Sequence, residues 1–256
     1  MVPKFLIAGG HGSGKTHCMA TADGLFAAVF EGNQSKSTIR SANPTATIFE
    51  VKNVADWREL YQALINGELD EYKMLGVDSI NEMQGYYARE FEGQSKAKPK
   101  DGQSDASKGK KDNKWEVFRK MKSAMGNIFV FLRDLPMPVA ATIRTKSETD
   151  DDTSITRERF SLDGDARNNV GAYFTATSFI YKMETGIVGE SVRAAMFSGP
   201  DNYPCREMEA LRGICVPDIQ KWLTALRGEG TDGLYIPDAR LPGERFSRTK
   251  ATDDAI

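Results

Sequence analysis

Eight residues near the start of the chain, Gly9-Gly10-His11-Gly12-Ser13-Gly14-Lys15-Thr16, fit G-x-x-x-x-G-K-[ST], the pattern of a phosphate-binding P-loop. Glycines let backbone N–H groups turn inward around phosphate oxygens, and a helix starting at the loop adds its positive end. Lys15 is placed to reach the β- and γ-phosphates of a nucleotide, and the Thr16 hydroxyl to bind Mg²⁺. The cofactor-binding candidates are therefore Gly9, Gly10, His11, Gly12, Ser13, Gly14, Lys15, Thr16 and the following His17. Such a loop works with an acid at the end of a second apolar strand, which holds the metal through its water shell. Asp78, closing Lys73-Met74-Leu75-Gly76-Val77-Asp78, fits that role, so the metal candidates are Thr16 and Asp78. Hydrolysis further needs a group that orients water. No glutamate follows Asp78 directly, so Glu31, at the end of the apolar run Leu25 to Phe30, is the first candidate and Glu82 the second. Thr142, at the end of Val139 to Ile143, is placed to sense phosphate, with Arg144 two residues on.

These groups need strands to carry them. Lys4 to Ala8 reads as a buried strand, and a breaker-free helix starts at Thr16. Strands are expected at 25–30, 45–51, 73–78 and 139–143. Helices are expected from Asn53 or Asp56 to about Asn66, from Ile80 to Phe91 and from Trp115 to Leu135. Thr177–Met183 and Val192–Phe197 read as a hairpin around Gly186 and Gly189, and Pro217–Leu226 as an amphipathic helix. Alternating strands and helices imply a mostly parallel sheet covered by helices on both faces, with ligands at the carboxyl ends of its strands. Two stretches break the pattern. Gln94–Lys114 holds seven lysines and three aspartates and reads as a flexible loop. Thr145–Arg159 is a second polar loop, in which five acids outweigh Lys146, Arg157 and Arg159. Residues 1–227 are expected to form one domain and 228–256 a flexible tail.

At a net charge of −2 the 256-residue chain has no global basic field, so any nucleic-acid contact must be local. Three cysteines without paired spacing argue for reduced thiols in a cytoplasmic setting, and two histidines with no Cys-x-x-Cys argue against structural zinc. No apolar stretch approaches membrane-spanning length, and the first strand begins too early to leave room for a signal peptide.

The order of parts resembles RecA-type ATPases. It is carried by GGHGSGKT at 9–16, VFE at 29–31, LGVDSI at 75–80, VAATIRTK at 139–146, LDGDARNN at 162–169 and TSFIYKM at 177–183. Within that superfamily, the early P-loop and the VDSI form are similar to the phage ATP-binding single-strand annealing (Sak-type) proteins. The resemblance implies an α/β, RecA-like P-loop NTPase core with a C-terminal β-hairpin and helix. It implies an ATPase using Mg²⁺ that forms a homo-oligomer, binds single-stranded DNA and supports phage-type recombination or annealing in a bacterial host cytoplasm. A single-strand DNA-binding protein would be a further partner. By position, Glu31 matches the water-activating glutamate, while Thr142 stands where RecA proteins carry glutamine. The two DNA-facing loops correspond to 94–114 and 145–159, which makes Lys108, Lys110, Lys111, Arg157 and Arg159 the DNA-binding candidates. A basic residue supplied by a neighbouring subunit completes many such sites. Lys182, Arg193 and Arg206 are candidates here, with Arg206 preferred. Two other readings fit the P-loop: a small-molecule or nucleoside kinase, and a DNA-binding or loading factor that uses ATP only as a structural ligand.

Overall fold

The computed structural model describes residues 2–30, 32–97, 108–185, 190–237 and 239–244. The first strand, β1 (Lys4–Gly9), runs into the P-loop, and α1 (Lys15–Ala20) leaves it. Next come β2 (Leu25–Val29), α2 (Gly32–Ala42), β3 (Thr47–Glu50), α3 (Val54–Ile65), β4 (Met74–Asp78), α4 (Ile80–Ala97) and α5 (Lys108–Asp134). The chain continues through β5 (Val139–Thr149), β6 (Thr156–Phe160), α6 (Ala166–Asn169), β7 (Ala176–Glu184), β8 (Ser191–Met196), β9 (Ile214–Cys215) and α7 (Ile219–Leu226).

Eight strands order as β3-β2-β4-β5-β1-β7-β8-β9, with β6 paired to β5 alone. From β3 to β7 every pairing is parallel, while β8, β9 and β6 join antiparallel. Each central strand is buried on both faces, as parallel sheets require. Leu6 and Ala8 enter one core with Trp57, Leu60, Met83, Met125 and Phe129, from α3, α4 and α5. Phe5 and Ile7 enter the other with Met19, Ile39 and Trp222, from α1, α2 and α7. This is the α/β core that the order of motifs leads one to expect, a mostly parallel sheet covered by helices on both faces with the P-loop after its first strand, and with a terminal β7–β8 hairpin and helix.

Four stretches differ from the sequence reading. Helix α2 was not expected, because Gly32-Asn33-Gln34-Ser35-Lys36-Ser37-Thr38 carries no apolar residue; only Ser35 and Ile39 are buried along it. The expected lysine-rich loop is helical at both ends: α4 runs to Ala97 and α5 begins at Lys108, leaving 98–107 outside the described residues. The second polar loop is a β-hairpin, since β5 continues to Thr149 and pairs with β6. Polar alternation without a core face gave no strand signal there; cross-strand pairing rather than burial holds it. Residues 228–244 do not all extend as a free tail. Leu234 is buried and its carbonyl accepts from Val216 N–H, and Tyr181 Oη donates to the Arg240 carbonyl. The turn of the β7–β8 hairpin, with Gly186 and Gly189, lies outside the described residues.

Candidate functional site

A cleft of about 610 Å³ opens at the carboxyl edge of the sheet, where β1 and β4 end beside Arg144 of β5. P-loop residues His11, Gly12, Gly14, Lys15, Thr16 and His17 form one wall. Helix α2 forms the other through Gly32, Asn33, Gln34, Ser35 and Thr38, with Asp78 and Ser79 between them and Arg144 and Arg193 at the rim. Both sheet and loop put the P-loop there. Gly9 ends β1, and Gly14, just before α1, has a left-handed φ of 107° that a side chain would rarely adopt. A Cβ on Gly14 would also fall 2.6 Å from Nε of Arg193. Lys15 is 9% exposed, and its Nζ donates to the carbonyls of Gly9 (3.0 Å) and Gly10 (2.7 Å).

Parallel register brings the metal candidates together. Val77 stands opposite Ala141, so the next residues, Asp78 and Thr142, lie side by side where β4 ends and β5 runs on past it. Asp78 is 2% exposed and Thr142 fully buried. The Thr142 hydroxyl donates to Asp78 Oδ1, and the Thr16 hydroxyl donates to Oδ2 at 2.9 Å. Thr142 thus holds the acid rather than reaching toward the cleft.

The residues present fit a magnesium nucleotide. The Ser13 and Ser79 hydroxyls are buried in the cleft region without a protein partner, and Thr16 and Asp78 supply hard oxygen donors. Among the described residues no group of three or more His, Cys, Asp or Glu could cage a metal by itself. Thr16 would offer a magnesium ion its hydroxyl, and Asp78 its carboxylate.

Glu31 lies outside the described residues. Glu82, in the first turn of α4, pairs with Arg144 at the rim. Arg206, the residue preferred for supply to a neighbouring subunit's site, packs within its own chain away from its own P-loop. Its backbone pairs with Thr177 near the amino end of β7, and its guanidinium donates to the carbonyls of Phe174 (3.0 Å) and Gly171 (3.5 Å) of its own chain. Arg193, on β8, lies over Gly14 of its own chain, and its cross-strand partner is Lys182. Two cations directly opposite repel each other; beside a phosphate cradle they gain an anion to share. That Arg193 adjoins the P-loop of its own chain was not legible in the sequence, because which strand end lies beside the loop depends on sheet order.

Lys108, Lys110 and Lys111 lie in the first turn of α5, with their side chains outside the described residues. Arg157 and Arg159 lie on β6, opposite Glu148 and Lys146. Opposed residues share a face, so Lys146, Glu148, Arg157 and Arg159 project together, joined by Arg167 through its ion pair with Glu148. Ser147 and Glu158 bond to each other on the reverse face, above a second cleft of about 390 Å³ beside Gly10, His11 and Ser13. The acids Asp150, Asp151 and Asp152 gather in the turn. There Asp150 accepts from the N–H groups of Asp152 (3.1 Å) and Thr153 (2.9 Å), bonds that hold its carboxyl below the usual range. A loop that is acidic by count therefore folds into a hairpin with one mostly basic face.

All three cysteines are free thiols. Burial pushes Cys205 and Cys215 up to about 12 and Cys18 well above its usual value, so none is poised as a nucleophile. Among the described residues no helix is long and apolar enough to cross a membrane.

An AAA-domain family matches residues 2–206. No curated protein matches the chain. Among solved structures, the RadB recombinase aligns with 83% of this chain and 89% of its own, at 14% identity and a TM-score of 0.39. The flagellar accessory protein FlaH from Methanocaldococcus jannaschii aligns with 76% of this chain and 78% of its own, at 8% identity and a TM-score of 0.38.

Proposed function

Since the chain belongs to the AAA-domain family that matches residues 2–206, we propose that it is an ATPase which hydrolyses Mg·ATP in the cleft between the P-loop and α2 and grips single-stranded DNA. The observation that carries the nucleotide reading is the Thr16–Asp78–Thr142 chain of hydrogen bonds beneath the P-loop. The P-loop amides and Lys15 bind the phosphates, and Thr16 and Asp78 hold Mg²⁺, which when bound neutralises charge building on the transferred phosphoryl group. Glu31 orients the attacking water. Arg193, lying over Gly14, adds positive charge at the phosphates. The protein's work is positioning and charge stabilisation rather than covalent chemistry.

The DNA reading is supported by the basic face of the β5–β6 hairpin and by the lysines at the start of α5, which suit neutralisation of a phosphate backbone. Self-association and a role in phage-type recombination or annealing follow from the RecA-type resemblance. ATP turnover measured with and without single-stranded DNA tests the whole reading. Wild type turns over ATP faster with DNA, while Lys15→Ala loses turnover by about a hundredfold or more and Glu31→Gln binds ATP without hydrolysing it. Equal phosphate release from wild type and Lys15→Ala would refute the ATPase reading. Turnover that needs a small acceptor rather than DNA would assign a kinase.

A further inference from the structure

The chain has three tryptophans, and they sit in very different places. Trp57 and Trp222 are buried, at 1% and 0% exposure, one in each core. Trp115 is 69% exposed on α5. Its ring stacks against Phe118, with centroids 6.1 Å apart and planes 24° apart, so the indole is braced on one side and open on the other. Phe118 is braced in turn by the backbone beyond β6: a Cβ on Gly164 would fall 2.9 Å from its Cε2.

The surroundings are cationic. From Lys108 to Ser123, α5 carries seven lysines and arginines against Asp112 and Glu116. Lys114, Arg119 and Lys122, one residue before and four and seven residues after Trp115 on the same helix, are exposed. Contacts then lead on to the basic hairpin face. Lys122 pairs with Asp165 beside Gly164, and Arg167, in α6, pairs with Glu148 next to Arg157, Lys146 and Arg159. An exposed aromatic ring with cations on both sides has the composition of a single-strand site. Cations track the backbone there, while any base can stack on the ring. A folded duplex keeps its base faces inside the stack and offers the ring nothing comparable.

We propose that Trp115, backed by Phe118, is a base-stacking platform for single-stranded DNA, on a basic track running from α5 across α6 to the β5–β6 hairpin. The inference rests on the DNA reading above and specifies the surface that does the binding. Its place in the chain also ties it to the nucleotide. The segment α4–α5 is inserted between Asp78, which ends β4, and Thr142, in β5, the two residues that share a hydrogen bond under the P-loop.

The buried state of Trp57 and Trp222 supplies the assay. Full-length protein is titrated with oligo-dT of thirty nucleotides, with tryptophan emission and the anisotropy of labelled oligo-dT read in parallel. Wild type binds and its emission is quenched. Trp115→Ala loses between about fivefold and about a hundredfold in affinity, Trp115→Phe retains most of it, and the emission of either variant no longer responds to DNA. Because the side chain is exposed, both variants melt like wild type. The triple variant Lys114→Glu, Arg119→Glu, Lys122→Glu weakens binding further and flattens its dependence on salt. If wild type binds oligo-dT while Trp115→Ala binds equally well and emission does not change, the platform is refuted and the DNA reading stands. If wild type binds no oligo-dT even at low salt, the DNA reading itself fails and the platform falls with it. If emission instead follows protein concentration in the absence of DNA, the ring covers a second copy of the chain and the proposal is overturned.

Discussion

Replacing Thr142 by valine removes one hydroxyl and changes the shape of the side chain little. Thr142 is fully buried, so no water can take the place of the lost group. Its hydroxyl donates to Asp78 Oδ1, while Thr16 donates to Oδ2 at 2.9 Å. The variant therefore leaves a buried carboxylate held at one oxygen instead of two. A hydrogen bond to a charged group contributes about 1.5–3 kcal/mol, and valine does not restore it, since a methyl cannot donate. In a domain of this size 1 kcal/mol corresponds to about 2–4 °C in Tm, so Thr142→Val should melt about 3–12 °C below wild type. Loss of a group that orients a metal-holding carboxylate costs roughly 10–100-fold in metal affinity. Calorimetric titration with ATP should therefore show a drop of that order in the presence of Mg²⁺ and little change in EDTA, because the P-loop amides and Lys15 are untouched. Thr142→Ser, which keeps the donor, should recover most of both losses. If Thr142→Val melts and binds Mg·ATP like wild type, the hydroxyl does not position Asp78 and the geometry assigned to the metal side of the cleft is wrong.

Arg193→Ala should lower nucleotide affinity or turnover by at least about tenfold without lowering Tm, because its guanidinium lies over Gly14 at the cleft. Arg206→Ala should do the reverse, losing stability through the carbonyls of Gly171 and Phe174 while turnover per folded molecule survives; lost turnover with unchanged melting would instead place Arg206 in a neighbouring subunit's site. Lys4 is buried with its ammonium donating to Leu135 O (2.6 Å) and Met137 O (2.5 Å), and burial, partly offset by Asp134, brings its pKa from 10.5 to about 8. Between those values the unfolded chain holds a proton that the native chain has released, so the contribution of Lys4 to stability rises with pH from about 8 to above 10. Urea melts of wild type and Lys4→Met across that range should diverge in favour of wild type as pH rises, and a constant difference would refute the assignment.

The phosphate half of the site was legible because it is local. Eight consecutive residues encode the P-loop, and the apolar run before Asp78 marks a buried strand with an acid at its end. Helix α2 was not legible. It buries little besides Ser35 and Ile39, so it carries no apolar stripe, yet it contributes five residues to the cleft wall. Ser35, Ile39 and Ala42 at helical spacing were the faint signal available. The place of Arg193 beside the P-loop of its own chain needed sheet order, which sequence leaves open until β7 and β8 are known to follow β1 at the edge.

The second polar stretch shows why composition misled. Counting charges from 145 to 159 gives five acids against three bases and suggests that DNA would be repelled. Pairing changes the arithmetic, because side chains on a two-stranded ribbon are sorted by parity and register rather than by total. Lys146 falls opposite Arg159 and Glu148 opposite Arg157, while Glu158 turns to the reverse face and Asp150 is spent on the turn. What a phosphate backbone meets is the face, not the sum. The same holds for α5: its lysines read as a solvated loop until the helix is seen to extend through Lys108–Asp134 and to carry Trp115 among them. Local chemistry written in consecutive residues survives in the sequence; chemistry assembled across strands and helix turns becomes visible only once the chain is folded.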